Sequence, residues 1–193
     1  QGLGEACSYL DFPVVSGNVS FYNQTKNIGI KPTPTIGGVG LINDYKKMIS
    51  MDLKDFDNII LVIGKTEGHL SQSIFSREIL NLKNGPPPEV NFFNEKNNGE
   101  TILKLIMKDY IKSCHDVSLG GIITAISKMA IKGKKGVKLK KPDHLINQFE
   151  YLFGEDQGRY IIEIKKENFD KVKEILDKSS VHYDELGIII EKD

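Results

Sequence analysis

The sequence predicts an α/β (α+β) fold, and three stretches carry that prediction. Asn58-Ile59-Ile60-Leu61-Val62-Ile63-Gly64 is a continuous, largely β-branched apolar run stopped by glycine, the pattern of a strand covered on both faces. Residues 118–130 place Ile122, Ile126 and Met129 on one side at helical spacing. At the end of the chain, strand 160–164, a helix over 168–177 with Phe169, Val172 and Leu176 inward, and strand 187–191 make a β-α-β crossover.

Taken in order, residues 3–10 suggest a helix that ends near Pro13, because proline turns its predecessor away from helix. Residues 14–22 read as a strand with a small polar turn inside it, and 24–31 as a polar loop. Pro32-Thr33-Pro34-Thr35 is extended, since two fixed φ angles and two branched residues disfavour helix. A glycine-laced strand over 36–42 follows. Apolar periodicity lapses over 43–57, which places a domain boundary there. After the strand at 58–64, Ser71 can cap a helix over 72–82, closed by Lys83-Asn84-Gly85. Pro86-Pro87-Pro88 is a rigid spacer. A helix over 100–110 buries Ile102, Leu103, Leu105 and Ile106; 133–136 is a turn, 137–139 a short strand and 142–149 a short helix.

Composition excludes several classes. Basic and acidic residues balance at 26 each, so no global field draws the chain to nucleic acid or to acidic membranes. The lysine-rich stretch 132–141 reads as a solvated turn. Cys7 and Cys114 form neither a disulfide framework nor a zinc spacing, which fits a reducing, cytoplasmic setting. No apolar run approaches the roughly 20 residues of a membrane span. Residues 1–7 lack the charged and apolar regions of a signal peptide and look like the tail of a helix, so the sequence reads as a fragment that starts inside a domain.

The chemistry concentrates in Val14-Val15-Ser16-Gly17-Asn18-Val19-Ser20. At Gly17 a backbone can pass close to a phosphate, because no Cβ intervenes. Asn18 offers a hard amide oxygen of the kind Mg²⁺ accepts beside phosphate oxygens. Ser20 points to the same side as Asn18 where the backbone is extended. Read alone, the same residues also describe a plain turn with a capping hydroxyl. His115 beside Asp116 invites an acid–base reading, but adjacent side chains seldom aim at one atom. The pair is expected to anchor the turn before the helix over 118–130, whose first amides could face an anion.

The run Pro13-Val14-Val15-Ser16-Gly17-Asn18-Val19-Ser20-Phe21-Tyr22-Asn23, followed by Pro32-Thr33-Pro34-Thr35-Ile36-Gly37, resembles the second half of the PurL-type phosphoribosylformylglycinamidine synthases. Cys114-His115-Asp116-Val117-Ser118-Leu119-Gly120-Gly121 and Gly154-Glu155-Asp156-Gln157-Gly158-Arg159 extend the likeness over nearly the whole chain. The resemblance implies a short strand over 111–114 and an AIR synthetase-like C-terminal domain of mixed sheet with packed helices over 57–193. Residues 45–56 would be a linker, and 1–44 the end of a second N-terminal, ATP-binding domain.

It further implies an ATP-dependent ligase that turns formylglycinamide ribonucleotide and glutamine-derived ammonia into formylglycinamidine ribonucleotide. There the amide oxygen attacks the γ-phosphate and ammonia displaces the resulting iminophosphate, with Mg²⁺ neutralising charge. Carried residue by residue, Gly17 is an ATP contact, Asn18 a Mg²⁺ ligand and Ser20 a substrate contact. No catalytic residue is assigned in this chain, which by itself is expected to be inactive. Implied partners are a glutaminase subunit, a small accessory subunit and the N-terminal half of the same polypeptide, with no nucleic acid and no membrane. Asp156 departs from the Glu-Ser-Gln-type run that helps hold substrate in the family's first half, so 154–159 stays outside the assigned site. A sibling enzyme of the superfamily, or a non-catalytic module that binds glutaminase, are the other readings.

Overall fold

The computed structural model describes residues 1–142 and 147–191. It divides into two units, Gln1–Tyr45 and Lys46–Asp193. In the first, α1 (Gly2–Tyr9) ends ahead of Pro13. The strands expected over 14–22 and 36–42 do not form. A two-stranded hairpin of β1 (Gln24–Thr25) and β2 (Ile28–Gly29) stands instead in the stretch read as a polar loop. Its turn residues Lys26 and Asn27 both take positive φ, 49° and 62°, the requirement of a type I′ hairpin. The branched runs on either side meet no partner strand, and strand propensity without a ladder does not hold a strand.

The second unit is built on a five-stranded sheet of order β4-β6-β3-β7-β5. The strands are β3 (Ile59–Ile63), β4 (Ile111–Asp116), β5 (Gly136–Leu139), β6 (Tyr160–Ile164) and β7 (Tyr183–Ile190). Every neighbouring pair is antiparallel, where a mixed sheet was expected. The reason is topological: the crossover from β6 to β7 through α5 (Phe169–Lys178) forms as read from the sequence. Its two strands are parallel to each other, but β3 inserts between them and runs against both.

Helices cover both faces of this sheet. Ile60, Val62, Ile161, Leu186 and Ile189 pack with Ile122, Ala125, Ile126 and Met129 of α3 (Gly121–Gly133) and Tyr151 of α4 (Gln148–Phe153). Leu61, Ile63, Ile162 and Ile164 pack on the other side with Ile102 and Leu105 of α2 (Phe92–Met107) and with Val172 and Leu176 of α5. The alternation along β3 thus feeds two cores, as a continuous apolar strand must. Opposite Ile60, β7 carries one extra residue, Leu186, beside Gly187. A Cβ at Gly187 would lie 2.1 Å from the Lys138 carbonyl, so this bulge requires glycine. Of the short helix read over 142–149, residues 143–146 lie outside the described ones; α4 begins at Gln148.

Three charged groups, Glu163 in β6 and Asp156 and Arg159 just ahead of it, hold the chain where it enters and leaves β3. Glu163 is fully buried on the α3 side of the sheet. Its carboxylate accepts from the Lys54 and Asp55 amides at 2.9 and 3.1 Å, Asn58 Nδ2 at 2.7 Å and Ser113 Oγ at 2.9 Å. Residues 46–56 are therefore fastened to the second unit, with Leu53 only 2% exposed. Just before β6, Asp156 accepts from the amides of Glu67, Gly68 and His69 at 3.0–3.1 Å. Arg159 is 2% exposed; it donates to Gly154 O, Thr66 Oγ1 and Asp156 O, and its Nη1 lies 3.6 Å from the Asp156 carboxylate. Burial lowers the Arg159 pKa, and the Asp156 charge opposes that shift.

Glu163→Ala leaves two part-buried amides, and a buried amide side chain and hydroxyl, without their acceptor. The expected loss is about 3–5 kcal/mol in urea unfolding, against about 1 kcal/mol for Ser113→Ala. Arg159→Met is expected to cost about 3 kcal/mol, because it leaves Asp156 without its cation; amide exchange over 64–69 should accelerate with it. His182 supplies a pH-dependent term. Its hydrogen bond to Asp184 raises its pKa above the ordinary 6.5, with burial opposing. The added stability is complete below the unfolded value and is lost as pH rises through the folded one. A His182→Gln variant should flatten Tm against pH from about 6 to 8.

Candidate functional site

The loop that leaves β3, the segment from Pro86 to Asn91, the first turns of α2 and residues 156–158 enclose a cleft of about 1010 Å³. Its shape depends on glycine. Gly64 has φ 94°, and a Cβ there would meet the Gly158 carbonyl at 2.8 Å and Asn98 Nδ2 at 3.1 Å. Asn98 Nδ2 donates to that carbonyl at 2.8 Å, fastening α2 to the 156–158 turn. Asp156 gathers three amides of the β3 exit loop, so its oxygens are spent within the wall. His69 Nε2 lies 3.0 Å from the Pro86 carbonyl and ties the proline segment to the same loop.

The lining is polar, and most of its charged side chains are acidic. Lys65 pairs with Glu67 at 2.6 Å on exposed side chains. Glu95 is half-buried against Gly158, and that burial raises its pKa. The cleft can recognise a polar ligand by hydrogen bonds. The sequence reading missed it because α2 begins at Phe92, capped by Asn91 accepting from the Asn94 amide, rather than near residue 100. The available signal was a polar stripe, Asn91, Asn94, Glu95 and Asn98, at helical spacing. The helix expected over 72–82 shrinks to a five-residue π turn, Phe75–Ile79, with Gln72 and Asn81 at positive φ on either side.

Gly17, Asn18 and Ser20 lie in the first unit, exposed and outside regular secondary structure. Apart from its two chain neighbours, no atom of the described residues lies within 4 Å of a Cβ built on Gly17. The Ser20 carbonyl accepts from Asn23 Nδ2 at 2.7 Å. The side chains of Asn18 and Ser20 make no hydrogen bond among the described residues. Their neighbours Val15 and Val19 are 92% and 75% exposed.

His115 and Asp116 close on each other, Nδ1 to Oδ1 at 2.9 Å, while His115 Nε2 is buried without a hydrogen-bond partner. The turn before α3 is anchored from elsewhere, contrary to the sequence reading. Glu155 Oε1 accepts from the Gly120 and Ile74 amides, both at 2.8 Å, and Val117 N donates to the Arg159 carbonyl. A carboxylate of the chain thus already takes the place before α3 that was read as open to an anion. Burial pushes the Cys114 thiol up to about 12, away from the thiolate form that nucleophilic chemistry uses.

The chain is 75% identical over 191 residues to the phosphoribosylformylglycinamidine synthase subunit PurL of Pelagibacter ubique, covering 99% of this chain and 26% of that protein. It is 44% identical over 187 residues to the same subunit of Bartonella henselae, covering 97% and 25%. The chain therefore spans about a quarter of the length of these curated relatives. Among solved structures, T. maritima PurL complexed with FGAR superposes with a TM-score of 0.64 at 20% identity, over 76% of this chain and 26% of that one. E. coli HypE superposes at 0.55 and 16% identity, over 75% and 47%. Both share the fold. Residues 57–193 match the profile of the family described as AIR synthase related protein, C-terminal domain, and the chain belongs to that family.

Proposed function

We propose that this chain is the C-terminal part of an ATP-dependent carbon–nitrogen ligase. The enzyme converts formylglycinamide ribonucleotide and glutamine-derived ammonia into formylglycinamidine ribonucleotide in purine biosynthesis. The observation that carries the reading is the 75% identity over 99% of the chain to a PurL subunit. In the intact enzyme the chain works in the cytoplasm beside the remainder of the polypeptide, a glutaminase subunit and a small accessory subunit.

Within that enzyme Gly17 lets the backbone approach ATP, Asn18 gives one oxygen to Mg²⁺ and Ser20 touches the substrate. The donor set fits a shared metal rather than a complete cage. Asn18 is one neutral oxygen, and no group of three His, Cys, Asp or Glu among the described residues could hold an ion. Mg²⁺ ordinarily keeps several waters and binds through few protein oxygens plus phosphates, so one amide is a sufficient contribution here. When bound, the ion neutralises phosphate charge. The chain's own part is to orient: the side chains of Asn18 and Ser20 are exposed and make no hydrogen bond among the described residues. Gly17 stands in open space, which leaves room for a ligand to approach its backbone.

In the intact enzyme Asn18→Ala is expected to raise the Mg²⁺ concentration for half-maximal turnover roughly tenfold with Tm unchanged. Steady-state assays across a Mg²⁺ series check this, and wild-type metal dependence in the variant overturns the assignment.

A further inference from the structure

The two edges of the sheet are finished differently. At β4 the outer edge is partly covered: the Cys114 amide donates to the Ser50 carbonyl of the segment that Glu163 holds down. At β5 the strand pairs with β7 alone, and no backbone bond among the described residues reaches its outer edge. The Lys140 amide donates to Leu186 O, in register with the pairing of Lys138 and Ile188. Hydrogen-bonded and non-bonded positions alternate along an antiparallel ladder, so Val137 and Leu139 turn their N–H and C=O groups away from β7.

This open edge is also the basic pole of a neutral chain. Residues 128–141 hold seven of the twenty-six lysines and arginines and no acidic residue. Lys140 reaches Glu185 at 3.4 Å, and Lys135 lies over the Phe56 ring at 3.9 Å. Exposed apolar side chains sit among these cations, Ile131 at 77% and Leu139 at 39%. Lysines on an edge strand repel a second copy of the same edge. For an acidic strand they attract instead, while the backbone offers a ladder.

We infer that the outer edge of β5 is a docking site for an acidic, extended segment of another protein, which adds to the sheet as a sixth strand. The apolar side chains of that segment meet Leu139 on the α3 face of the sheet and its carboxylates meet Lys138 on the other face, with Lys132 and Lys141 adding to the local positive field. Nucleic acid fits this surface less well. Residues 128–141 contain no arginine and no aromatic ring on which a base could stack, and a phosphate chain cannot complete a backbone ladder. This inference is independent of the proposed ligase activity.

The test uses the 193-residue chain and three fluorescein-labelled probes: an octapeptide alternating glutamate and valine, its lysine–valine counterpart, and an oligothymidylate. Fluorescence anisotropy should show binding of the glutamate–valine peptide only. Binding should weaken as salt rises and loosen at least roughly tenfold in the variant carrying Lys132→Glu, Lys138→Glu and Lys141→Glu. Hydrogen exchange on the unmutated chain gives the second readout, in which the peptide should slow the Val137 and Leu139 amides. Four outcomes overturn the inference: no peptide binding, binding of the oligothymidylate in its place, peptide binding without protection of those two amides, or their protection by self-association alone.

Discussion

The second unit depends on fixing β3, a five-residue apolar strand, in one register between two neighbours. Burial supplies the driving force, about 1.5–3 kcal/mol for each side chain such as Leu61 or Ile63. It does not choose the register, because a slip of two residues would still present branched apolar side chains to both cores. The choice falls to Glu163 and Arg159, which come from the β6 segment beside it. A slipped strand would leave a buried carboxylate or guanidinium without partners, at a cost comparable to the burial of a whole side chain. Charge here sets the alignment of an interface that apolar contact drives.

The same economy explains the run 154–159. Its three charged side chains point into the chain: Glu155 to the amides of Ile74 and Gly120, Asp156 to the exit loop of β3, and Arg159 to Thr66 and Gly154. A stretch that resembles a substrate-holding run in sequence therefore builds the wall of a cleft. Residues 17–20 behave in the opposite way, presenting an amide and a hydroxyl that the first unit does not use. One region spends its polar groups on architecture and the other keeps them for ligands.

Charge is divided as unevenly as hydrogen bonding. A balanced total conceals a lysine pole at the end of α3 and along β5, and a cleft whose charged side chains are mostly acidic. Neutral composition argues against a global field, yet a local field lies where one strand edge is open. The partly covered edge at β4 and the lysine-lined edge at β5 are two answers to the same hazard, an unpaired row of backbone groups.

What the sequence determined by itself were the elements whose signal is local. The run at 58–64 gave a strand buried on both faces, and helical spacing gave α3 and α5. The order strand–helix–strand at the end gave the crossover. The motif around Gly17, Asn18 and Ser20 was legible as residue chemistry, while the cleft was not, because its helical wall is polar and periodicity was sought in apolar residues. The insertion of β3 between β6 and β7, the loss of strands over 14–22 and 36–42, and the transfer of the α3 anchor from His115 and Asp116 to Glu155 came from the tertiary structure. Each of these turns on partners tens of residues away in sequence, and a local pattern states what a segment can bury or donate without stating what it will meet.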